Sequence, residues 1–196
     1  MKALIIVDLQ NDFLPGGALE VSNGDEIISI INRIIPNYEL VVATQDWHPA
    51  NHKSFADMHA GHQIFDVIDW NGYPQTLWPN HCVQGTEGAE LSKLLDTNSI
   101  QAIFRKGLDK KVDSYSGFFD NQRIRNTGLH GYLQDKKVSE VHICGLAADF
   151  CVYFTAMDAL DLGYKTAIIS KGTKAIDKDA YMKKKETFLQ KGGLFI

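Results

Sequence analysis

Cysteine, tryptophan and long apolar runs are all scarce in this chain of 196 residues, and each scarcity excludes something. Three cysteines, at Cys82, Cys144 and Cys151, are an odd set without a Cys-x-x-Cys pair. They form no disulfide framework, so reduced thiols in a cytoplasmic setting are expected. The apolar stretches, such as residues 3–7, fall far short of the roughly 20 residues that span a bilayer, and Asp8 interrupts the first of them. Neither a signal peptide nor a membrane partner is expected. Basic residues are fewer than acidic ones, 20 against 24, for a formal charge of −4. That balance lacks the basic footprint of a nucleic-acid binder, so nucleic acid is not an expected partner. No repeat, low-complexity tract or linker divides the chain, and one domain over residues 1–196 is the expectation. The sequence leaves a homo-oligomer open.

What is present is an ordinary globular composition, 44% hydrophobic and 22% charged, with a clear rhythm. Short β-rich apolar runs at 2–7, 40–44, 102–105, 140–144, 165–170 and 194–196 read as strands. ALIIV and TAIIS lack polar alternation, as strands covered on both faces by helices do. Amphipathic stretches at 25–35, 87–95, 128–136, 150–162 and 177–190 read as helices. This alternation predicts an α/β fold of three layers, α/β/α, around a mostly parallel sheet. Two long segments, 47–85 and 107–127, break the rhythm. They are rich in Gly, Pro, Asn, His and aromatics, and loops of that length in a compact domain usually carry function.

In an open parallel sheet, ligands bind beyond the carboxyl ends of the strands. Here those ends carry Asp8, then Gln45 and Asp46, then Lys106, then Cys144-Gly145 and a turn leading to Cys151. A carboxylate base, a cation and a thiol nucleophile therefore converge on one rim. Asp149 is placed to cap the following helix, which sets Cys151 in its first turn. The positive helix end and a nearby lysine would lower the thiol pKa and make a thiolate accessible near neutral pH. Free N–H groups at the same helix start could hold a developing oxyanion. Cys82 and Cys144 read as small buried apolar residues. Asn11 and Asp12 read as turn caps.

A second constellation is Asp46-Trp47-His48, where one intervening residue of extended backbone puts carboxylate and imidazole on the same side. With a third ligand they would form an open site for Zn²⁺ or Fe²⁺. His81, held between Leu77-Trp78-Pro79 and Cys82, is the better third ligand, and His52 is left undecided. His59, His62, His130 and His142 read as surface histidines.

In order along the chain, LIIVDLQNDFLPGGAL, TQDWHPANHKSFA, LWPNHCVQGTEGAEL, FRKG, DSYSGFFD and HICGLAADFCVYFTAMDAL resemble the nicotinamidases, also called pyrazinamidases, of the isochorismatase-like cysteine hydrolase superfamily. The resemblance runs from Met1 to about Thr173. It implies hydrolysis of nicotinamide, and of pyrazinamide, to the acid and ammonia through a cysteine thioester, within NAD salvage. It implies Asp8 as base, Lys106 as second member of the triad and Cys151 as nucleophile. It also implies one divalent metal, zinc first and iron or manganese after it, on Asp46, His48 and His81. Some members add a ligand from the following loop. That position is Ser54 here, which leaves Ser54 or His52, acting through water, as alternatives. A cis peptide at Leu146-Ala147 would aim the N–H groups of Ala147 and Cys151 at the oxyanion. Phe13, Leu19, Trp78 and Tyr115 match the walls around the pyridine ring.

Overall fold

The computed structural model describes residues 1–196. Six strands form one parallel sheet: β1 (Lys2–Val7), β2 (Leu40–Asp46), β5 (Ala102–Lys106), β6 (Glu140–Leu146), β7 (Lys165–Lys174) and β8 (Leu194–Phe195). Their order across the sheet is β5-β2-β1-β6-β7-β8. All five pairings are parallel. The order reverses between β1 and β6, which marks the place in the rim where such sheets bind ligands. A separate antiparallel hairpin, β3 (Val67–Trp70) and β4 (Tyr73–Thr76), lies within the first long loop segment.

Strand β1 shows why its sequence is apolar throughout. Leu4 and Ile6 pack on one face with Ile27, Ile28 and Ile31 of α1 (Glu26–Ile34). Ala3, Ile5 and Val7 pack on the other face with α2 (Leu129–Asp135), α3 (Tyr153–Asp161) and α4 (Lys178–Gln190). Both faces are dry, so strict alternation of polar and apolar residues is absent. Each isoleucine that α1 buries contributes about 1.5–3 kcal/mol. Pro36 ends that helix, in a 3₁₀ turn over Ile35–Asn37.

One expected helix does not form. The stretch 87–95 has only a 3₁₀ turn, Glu87–Ala89, because its backbone is engaged by the sheet rim. The Ala89 carbonyl accepts from the side-chain amides of Gln10 (2.7 Å) and Gln45 (2.9 Å), and Leu91 forms an antiparallel bridge with Gln10. The other helices and the six strands stand at the expected places.

Candidate active site

Asp8 directly follows β1, and the parallel register sets Asp46 of β2 beside Lys106, the last residue of β5. All three are buried. The Lys106 ammonium sits 2.9 Å from Asp8 Oδ2, 2.6 Å from Asp46 Oδ1 and 2.8 Å from the Ser114 carbonyl. It also lies 3.4 Å from Cys151 Sγ, so the four groups from separate strand ends do meet. The Thr44 hydroxyl donates to Asp8 Oδ1 at 2.6 Å and fixes that carboxylate. Asp8 holds a left-handed φ of 46°, a strained conformation for a residue with a side chain. Gly145, at the end of β6, has φ 110°, and a Cβ there would stand 2.0 Å from the Val7 carbonyl. Only glycine lets β6 approach β1 so closely.

The turn after β6 differs from the expected helix start. Residues Ala148–Val152 form a π-helical turn that leads into α3, while the Leu146-Ala147 peptide is cis, as the resemblance implies. Asp149 does not cap the helix. Its buried carboxylate instead accepts from the backbone N–H groups of Ile176 (3.0 Å) and Asp177 (2.9 Å), tying the nucleophile's turn to the entry of α4.

Nor does the Cys151 thiol carry a lowered pKa. Burial pushes it well above its ordinary value, and Lys106 only partly opposes this, because that ammonium is already shared by two carboxylates. Burial also raises the Asp8 carboxyl, against the pull of Lys106. Burial favours a neutral amine at Lys106, but Asp46 and Asp8 outweigh it and hold the ammonium charged. The cluster therefore pairs a neutral thiol with a carboxylate made more basic by its surroundings, which suits proton transfer at the moment of attack.

The imidazoles lie on the far side of Asp46. Asp46 Oδ2 is 3.6 Å from His48 Nε2 and 4.0 Å from His81 Nε2. His48 Nδ1 donates to the Gly107 carbonyl (3.1 Å) and His81 Nδ1 to the Pro79 carbonyl (2.8 Å), so each Nε2 is turned toward the carboxylate. Gly107 has φ 69°, and a Cβ on it would stand 2.4 Å from the His48 ring. His52 is buried, and Ser54 N–H donates to its Nδ1 at 3.2 Å with the Ser54 hydroxyl at 2.7 Å. Its Nε2 has no partner. Burial pushes the His81 and His52 pKa values down to about 4, so both rings are neutral at pH 7. The imidazoles of His48 and His81 converge on Asp46, one of the two buried carboxylates that share the Lys106 ammonium, and the set Asp46, His48 and His81 fits a divalent cation.

A narrow cleft with about 20 Å³ of free space opens beside both groups. Phe13, Leu19, Trp78 and Tyr115 line it as expected from the sequence, together with Ala147, Cys151, Asp46 and His81. Phe150, Ile176 and Asp113 line it too and carried no role in the sequence reading. Asp113 groups with His48 and His52. Asp12 does more than cap a turn, since its carboxylate accepts from Cys82 N–H (2.7 Å) and Ala18 N–H (3.3 Å) and so anchors the loop that carries His81. His59 lies away from the cluster, its Nε2 against the Lys53 carbonyl, and His62 pairs with Asp66. His142 is buried rather than exposed and bonds Tyr38 and Glu140; His130 meets the Tyr164 hydroxyl.

Comparison with known proteins bears on the same residues. Residues 2–196 match the family model described as the Isochorismatase domain. The chain is 49% identical to the nicotinamidase of Escherichia coli (strain K12) over 180 residues, 90% of this chain and 84% of that one. The structure titled Acinetobacter baumanii nicotinamidase pyrazinamidease superposes with a TM-score of 0.97 at 44% identity, over 100% of this chain and 95% of that one. Pyrazinamidase of Pyrococcus horikoshii in complex with zinc matches at a TM-score of 0.82 and 35% identity, over 100% and 98% of the two chains.

Proposed function

The chain belongs to the isochorismatase family, and from that membership we propose that it is an amidohydrolase that converts nicotinamide to nicotinate and ammonia with Cys151 as nucleophile. The carrying observation is the contact of Cys151 Sγ with Lys106 Nζ at 3.4 Å while the same ammonium holds Asp8 at 2.9 Å. A pyridine ring in the apolar cleft would be flanked by Trp78 and Phe13, with its carboxamide toward the sulfur.

Asp8 takes the thiol proton as Cys151 Sγ forms a bond to the amide carbon. The oxygen that gains charge is met by the N–H groups of Ala147 and Cys151, at the turn where Phe150 and Val152 N–H both donate to the Ala147 carbonyl. Asp8 returns the proton to the departing nitrogen, the C–N bond breaks, and ammonia leaves a nicotinoyl thioester. Water then attacks that carbon while Asp8 accepts its proton, the C–S bond breaks, and the sulfur recovers a proton from Asp8. Lys106 holds the two carboxylates apart in charge and steadies the sulfur throughout.

Asp46, His48 and His81 would hold one divalent ion, zinc by the likeness to the zinc-bound relative, with Ser54 or His52, through water, as the further donor. Such an ion would supply a Lewis acid beside the cleft and would offset the buried negative charge of Asp46. Pyrazinamide, with the same carboxamide on a similar ring, fits the same cleft. Nicotinate as product would feed NAD salvage, and a cytoplasmic setting is part of the same proposal. The test is ammonia release from nicotinamide by the metal-loaded protein. Turnover that vanishes in Cys151→Ala with the fold retained is expected, and full turnover in that variant would overturn the proposal.

A further inference from the structure

The turn that carries Cys151 is held from behind by a residue far along the chain. Lys184 on α4 donates from Nζ to the carbonyl of Asp149, two residues before the nucleophile. The same ammonium lies 4.4 Å from the ring centre of Phe150, 5.1 Å from that of Phe154 and 5.4 Å from that of Tyr153. Phe150 is a wall of the catalytic cleft, set edge to face against Trp78 at 4.8 Å and Tyr115 at 5.4 Å. One half-buried cation thus touches both the backbone of the nucleophile's turn and the ring behind the substrate cleft.

A second tie makes the attachment rigid. The Asp149 carboxylate accepts from Ile176 and Asp177 N–H, and Asp177 in turn caps α4 by accepting from Asp179 N–H (2.9 Å) and Ala180 N–H (3.0 Å). Ile176 and Asp177, at the entry of α4, therefore grip the carboxylate of Asp149, and Lys184, farther along that helix, grips its carbonyl. Burial lowers the Lys184 pKa against the pull of the Asp149 and Asp177 carboxylates. A cation kept in a half-buried place among three rings needs the carbonyl it caps.

We propose that Lys184 is a positioning residue of the nucleophile's turn, fixing the backbone of Cys151 and the Phe150 wall without touching substrate. The proposal rests on the hydrolase reading for its kinetic consequence but not for its structural one. Lys184→Met keeps the apolar stem and removes the charge and the donor. Small displacements at a reacting centre cost tens-fold in rate. We expect about a tenfold fall in kcat on nicotinamide, KM within about threefold and Tm within a few degrees of the parent. Lys184→Arg, which keeps charge and donors, should recover most of the loss. Alkylation of Cys151 by iodoacetamide, which needs no turnover, should slow by a comparable factor in the Met variant and not in the Arg variant. Parent-like kcat and alkylation rate in Lys184→Met would overturn the proposal, as would an equal loss in both variants or a loss that merely follows Tm. A parent protein inactive on nicotinamide would sink the hydrolase reading alone, since the alkylation comparison still decides for Lys184.

Discussion

Two polar clusters meet at Asp46, and they are built in opposite ways. On one side, Asp8 and Lys106 come from strand ends and Cys151 from the turn after β6, and the sheet's own pairing sets the spacing of those strand ends: Asp46 registers with Lys106, and Val7 with Gly145. On the other side, His48, His52 and His81 come from loops, where single contacts such as Gly107 O to His48 and Asp12 to Cys82 N–H do the same work. The strand-end group is therefore positioned by many backbone hydrogen bonds and depends on charge balance. The loop group depends on individual carbonyls and on a glycine. Asp46 serves both with its two oxygens, Oδ1 to Lys106 and Oδ2 toward the imidazoles.

That difference can be broken by mutation, with the largest effect on the strand-end side. Asp8→Asn removes the proton acceptor, and kcat on nicotinamide should fall by about 10³–10⁴, read by ammonia release at saturating substrate. Lys106→Met leaves two buried carboxylates without their ammonium, and should cost about 3–5 kcal/mol in urea unfolding of the metal-free protein. On the loop side, Gly107→Ala drives a methyl group into the His48 ring and should weaken zinc binding by about 10–100-fold in chelator competition, with little loss of fold. A Lys106→Met variant of parent stability, or a Gly107→Ala variant with parent affinity, would erase the contrast.

The shared carboxylate gives a pH signature. Burial opposes ionisation of Asp46, but Lys106 and His48 outweigh it and hold its carboxyl below the usual range. Its folded pKa lies under the ordinary carboxyl value of 3.8, so its stabilisation is full above that pH and is lost as pH falls below it. The unfolding free energies of metal-free parent and Asp46→Asn should differ most near neutrality and converge as pH drops from 4 toward 2. The smallest effect belongs to His62→Ala, outside both clusters, which should change stability by less than about 0.5 kcal/mol and leave zinc affinity alone.

The strand-end group was legible because unbroken apolar runs such as ALIIV stop at an ionisable residue, and a parallel sheet brings such stops to one rim. The metal trio was legible through Asp-x-His and the packed surroundings of His81. The partners that hold these residues were not. Gln10, whose amide clamps the backbone of Asp46 through two 2.8 Å bonds, looks like any polar residue after a strand. Asp149 looks like a helix cap because its distant partners, Ile176 and Asp177, leave no local mark. Residues 87–95 carry helical spacing, yet their carbonyls and amides bind the rim, and tertiary pairing overrides the local pattern. The thiol pKa was misread for a related reason. Proximity of a lysine suggests a lowered value, but burial of the sulfur raises it, and Asp8 and Asp46 already claim the lysine's charge.

The most direct measurement is the mass of the protein quenched in acid during turnover of nicotinamide, followed by peptide mapping. A nicotinoyl adduct confined to the peptide containing Cys151, and absent from Cys151→Ala, is the expected result. Continued turnover without that adduct in the Cys151→Ala protein, or an adduct on Cys82 or Cys144 instead, would contradict the assignment of the nucleophile.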